Sequence, residues 1–135
     1  MKIGIIGYGV VGKAIGNTFS NFFEVIKYDK YSEYNSFEEI CKCEMLFIAV
    51  PTPFDCKINK VDTSAIDESL ERLVENEYGG IVMIKSTIPP GTCENYSKNY
   101  KLQIVFNPEF LRESTTPNED FRNQHSIVIG TDNIS

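Results

Sequence analysis

Basic residues, histidine and long apolar runs are all scarce in this sequence, and each shortage argues against a class of function. Thirteen Lys and Arg residues face nineteen Asp and Glu residues, which leaves a formal net charge of -6. Without a basic stripe, nucleic acid and anionic membrane surfaces are not expected as partners. The apolar runs are too short for a membrane span or for the core of a signal peptide. We therefore expect a cytoplasmic protein, in which residues 1–135 form one globular domain.

Metal and disulfide chemistry also find little support. The four cysteines, Cys41, Cys43, Cys56 and Cys93, follow no zinc-binding spacing, and only His125 could assist them. Without a secretory signal, the cysteines are expected to be reduced thiols. No neighbouring feature would activate one of them as a nucleophile. The sequence therefore predicts neither a metal site nor a catalytic cysteine.

Strand-like and helix-like segments alternate along the chain. This alternation predicts a doubly wound, mostly parallel α/β sheet of the Rossmann type. We expect strands at residues 2–6, 24–28, 45–50, 81–84, 102–106 and 126–129. We expect helices at residues 10–22, 37–41, 65–74 and 92–100, and a polar loop at 114–124.

A glycine-rich turn follows the first strand. Its sequence, Gly7-Tyr8-Gly9-Val10-Val11-Gly12, matches G-x-G-x-x-G between a strand and a helix. The three glycines suit a tight turn, the approach of a pyrophosphate and close helix–strand packing. Asp29 ends the second strand, where its carboxylate would accept hydrogen bonds from ribose hydroxyls and repel a 2′-phosphate. This predicts NAD rather than NADP, although the neighbouring cation Lys30 would soften the repulsion.

An acidic block follows the strand expected at residues 102–106. Asn107 is a favoured N-cap and Pro108 is favoured at the first helical position, so a helix is expected to begin here. Glu109 and Glu113 would then lie one turn apart on the same helix face. At the mouth of a strand–helix turn they could transfer protons, orient water or bind hydroxyls. The alternative is an acidic first turn that only complements the helix dipole.

Four blocks occur in a set order, each behind an expected strand. They are Gly7–Gly12, Val50–Pro53, Lys85–Thr92 and Asn107–Glu113. Together they resemble the N-terminal domain of the UDP-glucose/GDP-mannose dehydrogenase family. The resemblance implies NAD as cofactor, and a nucleotide sugar of the UDP-glucose type whose C6 alcohol is oxidised to a carboxylate.

The resemblance also implies roles for individual residues. Cofactor contacts map onto Gly7, Tyr8, Gly9, Val10, Val11, Gly12, Asp29, Val50, Pro51, Thr52, Pro53, Ser86, Thr87 and Glu113. Substrate contacts map onto Glu109, Phe110, Leu111, Arg112 and Glu113. Glu109 takes the position of the family's acid–base or water-orienting glutamate. Thr87 takes that of the threonine that helps to orient water.

Some features depart from the family pattern. The family's nucleophilic cysteine, central helix and sugar-nucleotide domain lie beyond these blocks, so we expect the chain to be inactive without a complementary catalytic part. The fifteen residues 30–44 are near the minimum for a parallel crossover. This predicts a sheet trimmed between Asp29 and Met45, with a thinner wall on the adenine side. Ser114 replaces a usual glycine, and a bulkier residue there would shift the substrate-side loop if the position requires a positive φ.

Two other functions stay open. The chain could be a non-catalytic module that binds NAD or a nucleotide sugar. It could also belong to another Rossmann-type NAD oxidoreductase, such as a hydroxyacid dehydrogenase, although the Lys85 and Asn107 blocks argue against this. Either way, a trimmed sheet with an apolar flank would tend to associate, so a homo-oligomer is a further expectation.

Overall fold

The computed structural model of the chain describes residues 1–109 and 115–131. Its strands are β1 (Lys2–Ile6), β2 (Glu24–Tyr28), β3 (Met45–Ile48), β4 (Phe54–Asp55), β5 (Lys60–Val61), β6 (Ile81–Ile84) and β7 (Gln103–Phe106). Its helices are α1 (Val10–Phe19), α2 (Phe37–Ile40), α3 (Ser64–Glu75), α4 (Thr92–Tyr100) and α5 (Pro117–Arg122).

Five of the strands form one parallel sheet in the order β2-β1-β3-β6-β7. The order places the first strand of the chain near the centre, as in doubly wound α/β proteins. The predicted Rossmann-type fold is therefore confirmed. Residues 29–44, all of them described, contribute α2 but no strand to this sheet, so β2 is an edge strand and the sheet is trimmed as expected.

Helices cover both faces of the sheet, and each face has its own core. On one face, α2, α3 and α4 pack against β3, β6 and β7. Ile66, Leu70 and Leu73 form the buried stripe of α3, because spacings of four and three residues place them on one side of a helix. On the other face, α1 and α5 pack against β1 and β3, with Ile15 and Phe121 in the core.

The strand predicted at residues 126–129 is wrong. The described structure has only an isolated antiparallel bridge, in which Gly130 and Phe106 exchange two backbone hydrogen bonds of 2.8 Å. Ile127 and Ile129 are 65% and 58% exposed. The apolar run therefore has the composition of a strand but, among the described residues, no extended pairing partner and no core to enter.

Three further elements, α5, β4 and β5, were not predicted. The expected polar loop at residues 114–124 contains α5, because Phe121 is buried and its ring packs edge-on against Phe19 at 6.0 Å. Residues 54–61 form the small antiparallel hairpin β4–β5. Elsewhere the prediction placed the elements correctly and erred only at their ends: α1 ends at Phe19 rather than at residue 22, and β3 ends at Ile48 rather than at residue 50.

Truncation of α3's central core residue tests this packing. Leu70 is fully buried, so Leu70→Ala should lower the free energy of unfolding by about 2–5 kcal/mol through lost burial and a residual cavity. Urea denaturation measures the change. Glu71→Ala, at the exposed neighbouring position, should change it by less than about 0.5 kcal/mol. Equal effects of the two substitutions would contradict the assigned face of α3.

The cysteines offer a second test. Burial raises the pKa of the Cys43 thiol to about 11, whereas Cys56 is exposed. Because the thiolate is the reactive form, a disulfide reagent at pH 8 should modify Cys56 rapidly and Cys43 only slowly. A Cys56→Ser variant should lose the fast phase. Modification of Cys43 at the rate of an exposed thiol would show that this part of the core is misplaced.

Candidate functional site

The register of the sheet brings the carboxyl ends of its strands into one row. Ile6 pairs with Tyr28 on one side and with Ile48 on the other. Ile84 pairs with Ile48 and with Phe106. The residues that follow these strand ends are Gly7, Asp29, Ala49, Lys85 and Asn107. All the predicted blocks therefore begin at the edge of the sheet where proteins of this architecture bind ligands.

The turn at Gly7 joins three strand ends. Gly7 has φ +90°, and a Cβ there would lie 2.6 Å from the backbone oxygen of Ala49. Its N–H donates to the Tyr28 oxygen at 2.9 Å. Only glycine combines this backbone conformation with so close an approach. The first glycine of the motif is thus required by the packing of β1 against β2 and β3.

The second and third glycines differ in what surrounds them. A Cβ at Gly9 would meet no heavy atom within 4 Å, so the backbone at the start of α1 borders open space. Gly12 lies against the Gly7 carbonyl, where a side chain would clash. Open space beside the free N–H groups of a helix N-terminus suits a pyrophosphate. These residues therefore fit a dinucleotide.

Two backbone N–H groups hold the Asp29 carboxylate in place. One carboxylate oxygen accepts a 2.8 Å hydrogen bond from the Tyr8 N–H, and the other accepts a 2.9 Å bond from the Tyr31 N–H. A carboxylate oxygen can accept more than one hydrogen bond, so acceptor capacity remains for a ribose hydroxyl. The two bonds orient the group before any ligand binds.

A cavity of about 390 Å³ runs along this edge of the sheet. Most of the predicted site residues line it: Gly7, Gly9, Val10, Val11, Asp29, Val50, Pro51, Thr52, Ser86, Thr87 and Glu109. The Ser86 hydroxyl donates to the Val50 oxygen at 2.7 Å, which ties the loop after β3 to the loop after β6. Residues from five parts of the sequence thus share one concave site.

Three predicted cofactor residues, among those the structure describes, stand outside the cavity wall. The Tyr8 side chain is buried, with its ring 5.1 Å from that of Tyr34, and only its N–H faces Asp29. Gly12 is buried beneath the turn. Pro53 leads into β4, and its oxygen accepts a hydrogen bond from the Asp62 N–H. Their assignment as cofactor contacts stays a prediction.

Lys85 received no role from the sequence, yet it is the most unusual residue of the site. It is 3% exposed, and its ammonium nitrogen lies 2.9 Å from the Glu109 carboxylate and 2.8 Å from the Asn107 side-chain oxygen. The ammonium also lies 5.5 Å from the centroid of the Phe121 ring. A buried lysine needs such partners, because an unpaired charge in the interior is very unfavourable. The sequence signal that could have identified Lys85 as a buried charge is its position directly after a continuous apolar strand.

Asn107 does not begin a helix, and this corrects the prediction for the acidic block. Residues 107–109 are not helical. The Asn107 side chain instead accepts from Lys85 and donates to the Val128 oxygen at 2.7 Å. It therefore links Lys85 to the segment after α5 rather than capping a helix. The remaining predicted site residues of the block, Phe110, Leu111, Arg112 and Glu113, and also Ser114, lie outside the described residues.

A family comparison now bears on this geometry. The family model for the NAD binding domain of the UDP-glucose/GDP-mannose dehydrogenase family matches residues 23–135. The chain belongs to this family. NAD is the cofactor of the matched domain, so the expected cofactor is confirmed. The glycine turn at residues 7–12 precedes the matched range and rests on the geometry described above.

Individual relatives agree with this assignment. The chain is 36% identical over 90 residues to a UDP-glucose 6-dehydrogenase of Streptococcus pneumoniae, a match that covers 66% of this chain and 23% of that protein. It is 35% identical over 108 residues to a UDP-glucose 6-dehydrogenase of Rickettsia bellii, covering 76% of this chain and 24% of that protein. The chain thus spans about a quarter of the length of the curated relatives it matches.

Solved structures show the same fold. The NDP-N-acetyl-D-galactosaminuronic acid dehydrogenase from Methanosarcina mazei Go1 superimposes with a TM-score of 0.74 at 18% identity, covering 98% of this chain and 39% of that one. The imine reductase BcSIRED from Bacillus cereus has a TM-score of 0.66 at 15% identity, covering 84% of this chain and 42% of that one.

The described residues add two negative findings. They contain no cluster of three or more His, Cys, Asp or Glu side chains able to hold a metal ion. Within the same residues, the structure has no helix that is both long and apolar enough to cross a bilayer.

The Lys85–Glu109 ion pair can be tested by a double-mutant cycle. Lys85→Met should lower the free energy of unfolding by about 3–5 kcal/mol, because it leaves a buried carboxylate without its cation. The double variant Lys85→Met/Glu109→Gln should recover a large part of this loss, since neither charge then remains. Urea denaturation of the wild type, both single variants and the double variant measures the coupling. Strictly additive effects would contradict the pair.

Proposed function

We propose that this chain is the NAD-binding part of an enzyme that oxidises the C6 alcohol of a nucleotide sugar, of the UDP-glucose type, to a carboxylate. The observation that carries the proposal is that Asp29, Thr87 and Glu109 line the same cavity along the carboxyl ends of the strands. Family membership and the UDP-glucose 6-dehydrogenases among the relatives support the substrate class. A cytoplasmic location is part of the same proposal.

The cofactor would bind along the row of strand ends. The open backbone at Gly9 and the start of α1 would receive the pyrophosphate, and Asp29 would accept hydrogen bonds from the adenosine ribose. Val50, Pro51 and Thr52 would form the wall between these two points. When bound, NAD supplies the hydride acceptor for an alcohol carbon.

Glu109 and Thr87 would act at the other end of the cavity. The Glu109 side chain is only 8% exposed and is paired with Lys85 at 2.9 Å, so its carboxylate is held in one place at the cavity wall. A positioned carboxylate can accept a proton from a substrate hydroxyl or orient a water molecule. Thr87 is exposed at the same cavity, where its hydroxyl can both donate to and accept from water.

A second oxidation, from aldehyde to acid, requires a covalent nucleophile or an activated hydrate. The family resemblance places the nucleophilic cysteine beyond the matched blocks. We therefore propose that these 135 residues work with a complementary catalytic part, as a further domain or a partner, and bind NAD alone without turnover.

Titration with NAD is the direct test. The purified chain should bind NAD saturably, as measured by calorimetry, with and without UDP-glucose. Asp29→Ala should weaken binding roughly 10- to 100-fold, because hydrogen bonds to a charged acceptor contribute about 1.5–3 kcal/mol. Glu75→Gln, a carboxylate change at the far end of α3, should leave the affinity unchanged.

Two results would overturn the proposal in different ways. If the wild type shows no saturable NAD binding, the cofactor site is wrong. If NADH absorbance grows steadily when UDP-glucose and NAD are mixed with the chain alone, the argument for a complementary catalytic part is wrong.

A further inference from the structure

A second cavity, of about 190 Å³, adjoins the first on the side of Asp29. Gly7, Asp29, Tyr31, Val50 and Pro51 line both cavities, so the two are continuous at the ribose-binding position. The outer wall of the second cavity is α3. A dinucleotide held by Asp29 would therefore present its 2′ position between the end of β2 and α3.

An ion pair spans this second cavity. The Lys30 ammonium contacts both carboxylate oxygens of Glu68, at 2.9 and 3.1 Å. Lys30 directly follows Asp29, whereas Glu68 comes from the middle of α3, thirty-eight residues later. The two side chains are 56% and 48% exposed, so the pair contributes little to folding stability.

The position of Lys30, directly after Asp29, suggests that this ion pair affects the choice between NAD and NADP. In Rossmann-type sites an acid at the end of the second strand favours NAD, and a nearby cation accommodates the 2′-phosphate of NADP. This chain has both features side by side, in Asp29 and Lys30. A 2′-phosphate carries close to two negative charges, so a free ammonium at this place would attract it.

We propose that Glu68 is a second specificity-determining residue, which disfavours NADP because it forms an ion pair with Lys30. Glu68 offsets the positive charge of Lys30 and accepts two of its three hydrogen-bond donors, and it adds its own negative charge where a 2′-phosphate would lie. It acts through Lys30 and supplements the direct repulsion from Asp29. This inference rests on the proposed dinucleotide site.

Arg72 is a second cation at this cavity. Arg72 lies one turn beyond Glu68 on α3 and lines the same cavity. Its guanidinium stacks 3.9 Å from the centroid of the Phe37 ring and donates to the Tyr28 hydroxyl at 2.7 Å. Among the described residues, no Asp or Glu carboxylate forms an ion pair with Arg72. Without Glu68, Lys30 and Arg72 would leave the cavity positively charged on the side that faces Asp29.

The test compares NAD and NADP affinities across matched variants. Glu68→Gln should tighten NADP binding by about five- to tenfold at low ionic strength and change NAD binding by less than about twofold. Glu71→Gln removes the same charge from the same helix outside the cavity, and should leave the affinity ratio unchanged. Glu68→Gln/Lys30→Met should return the ratio to the wild-type value. The gain should shrink as salt is added.

The outcomes separate this inference from the proposed function. If the wild type binds NAD but Glu68→Gln leaves the NAD:NADP ratio unchanged, or shifts it no more than Glu71→Gln does, the role of Glu68 is refuted and the site stands. If the gain persists after Lys30→Met is added, Glu68 does not act through Lys30. If the wild type binds neither nucleotide, the dinucleotide site itself fails. Thermal denaturation of each variant checks that the fold is intact.

Discussion

The site depends on the contact between the backbone at Gly7 and the end of β3. This turn approaches Ala49 so closely that no side chain fits, and it holds the Tyr28 oxygen by a hydrogen bond. Because of it, the ends of β1, β2 and β3 lie level, and Asp29 can reach the Tyr8 N–H. If the turn moved outward, the open space at Gly9 and the carboxylate of Asp29 would no longer border one cavity. The strand register then extends the same row to β6 and β7.

Along that row the chemistry changes from one end to the other. Asp29, Lys30 and Glu68 line one end of the row, where we propose that they select a nucleotide by charge. The opposite side carries a buried, nearly neutral group in which Lys85 balances Glu109 and Asn107 holds Lys85. A carboxylate that an ion pair holds in one place at a cavity wall can orient a hydroxyl or a water molecule, whereas an exposed one would be solvated and mobile. Under the proposed function, this sheet edge would carry cofactor recognition at one end and acid–base chemistry at the other.

Much of this architecture was predictable, because it rests on local patterns. β1, β2 and β6 have the predicted bounds, since each is a short apolar run flanked by turn residues. The bounds of α4 were also predicted, although its sequence is polar and only Tyr96 in it is buried. The glycine motif, Asp29 and the cavity-lining loops were also placed correctly at the strand ends. Parallel strands with crossover helices allow few other arrangements, so once the elements are known the edge that carries the site follows.

The errors arose where contacts distant in sequence outweigh local preference. Residues 126–129 have the composition of a strand, but in the described part of this segment Gly130 alone pairs with β7. Residues 117–122 are polar enough for a loop, yet burial of Phe121 against α1 selects a helix. Asn107 is a residue type that favours helix caps, but its side chain instead accepts a hydrogen bond from Lys85 and donates one to the Val128 oxygen. In the same way, the bond between Lys30 and Glu68 joins residues thirty-eight positions apart.

The central claim is that separate loops form one dinucleotide site along the level strand ends. Mapping amide chemical-shift changes by NMR while NAD is added to the chain tests it most directly. The account predicts changes confined to the loops after β1, β2, β3 and β6, including Gly9, Tyr31, Thr52 and Thr87, with a common dissociation constant. Shifts scattered over the opposite edge of the sheet, or different dissociation constants for these loops, would contradict it.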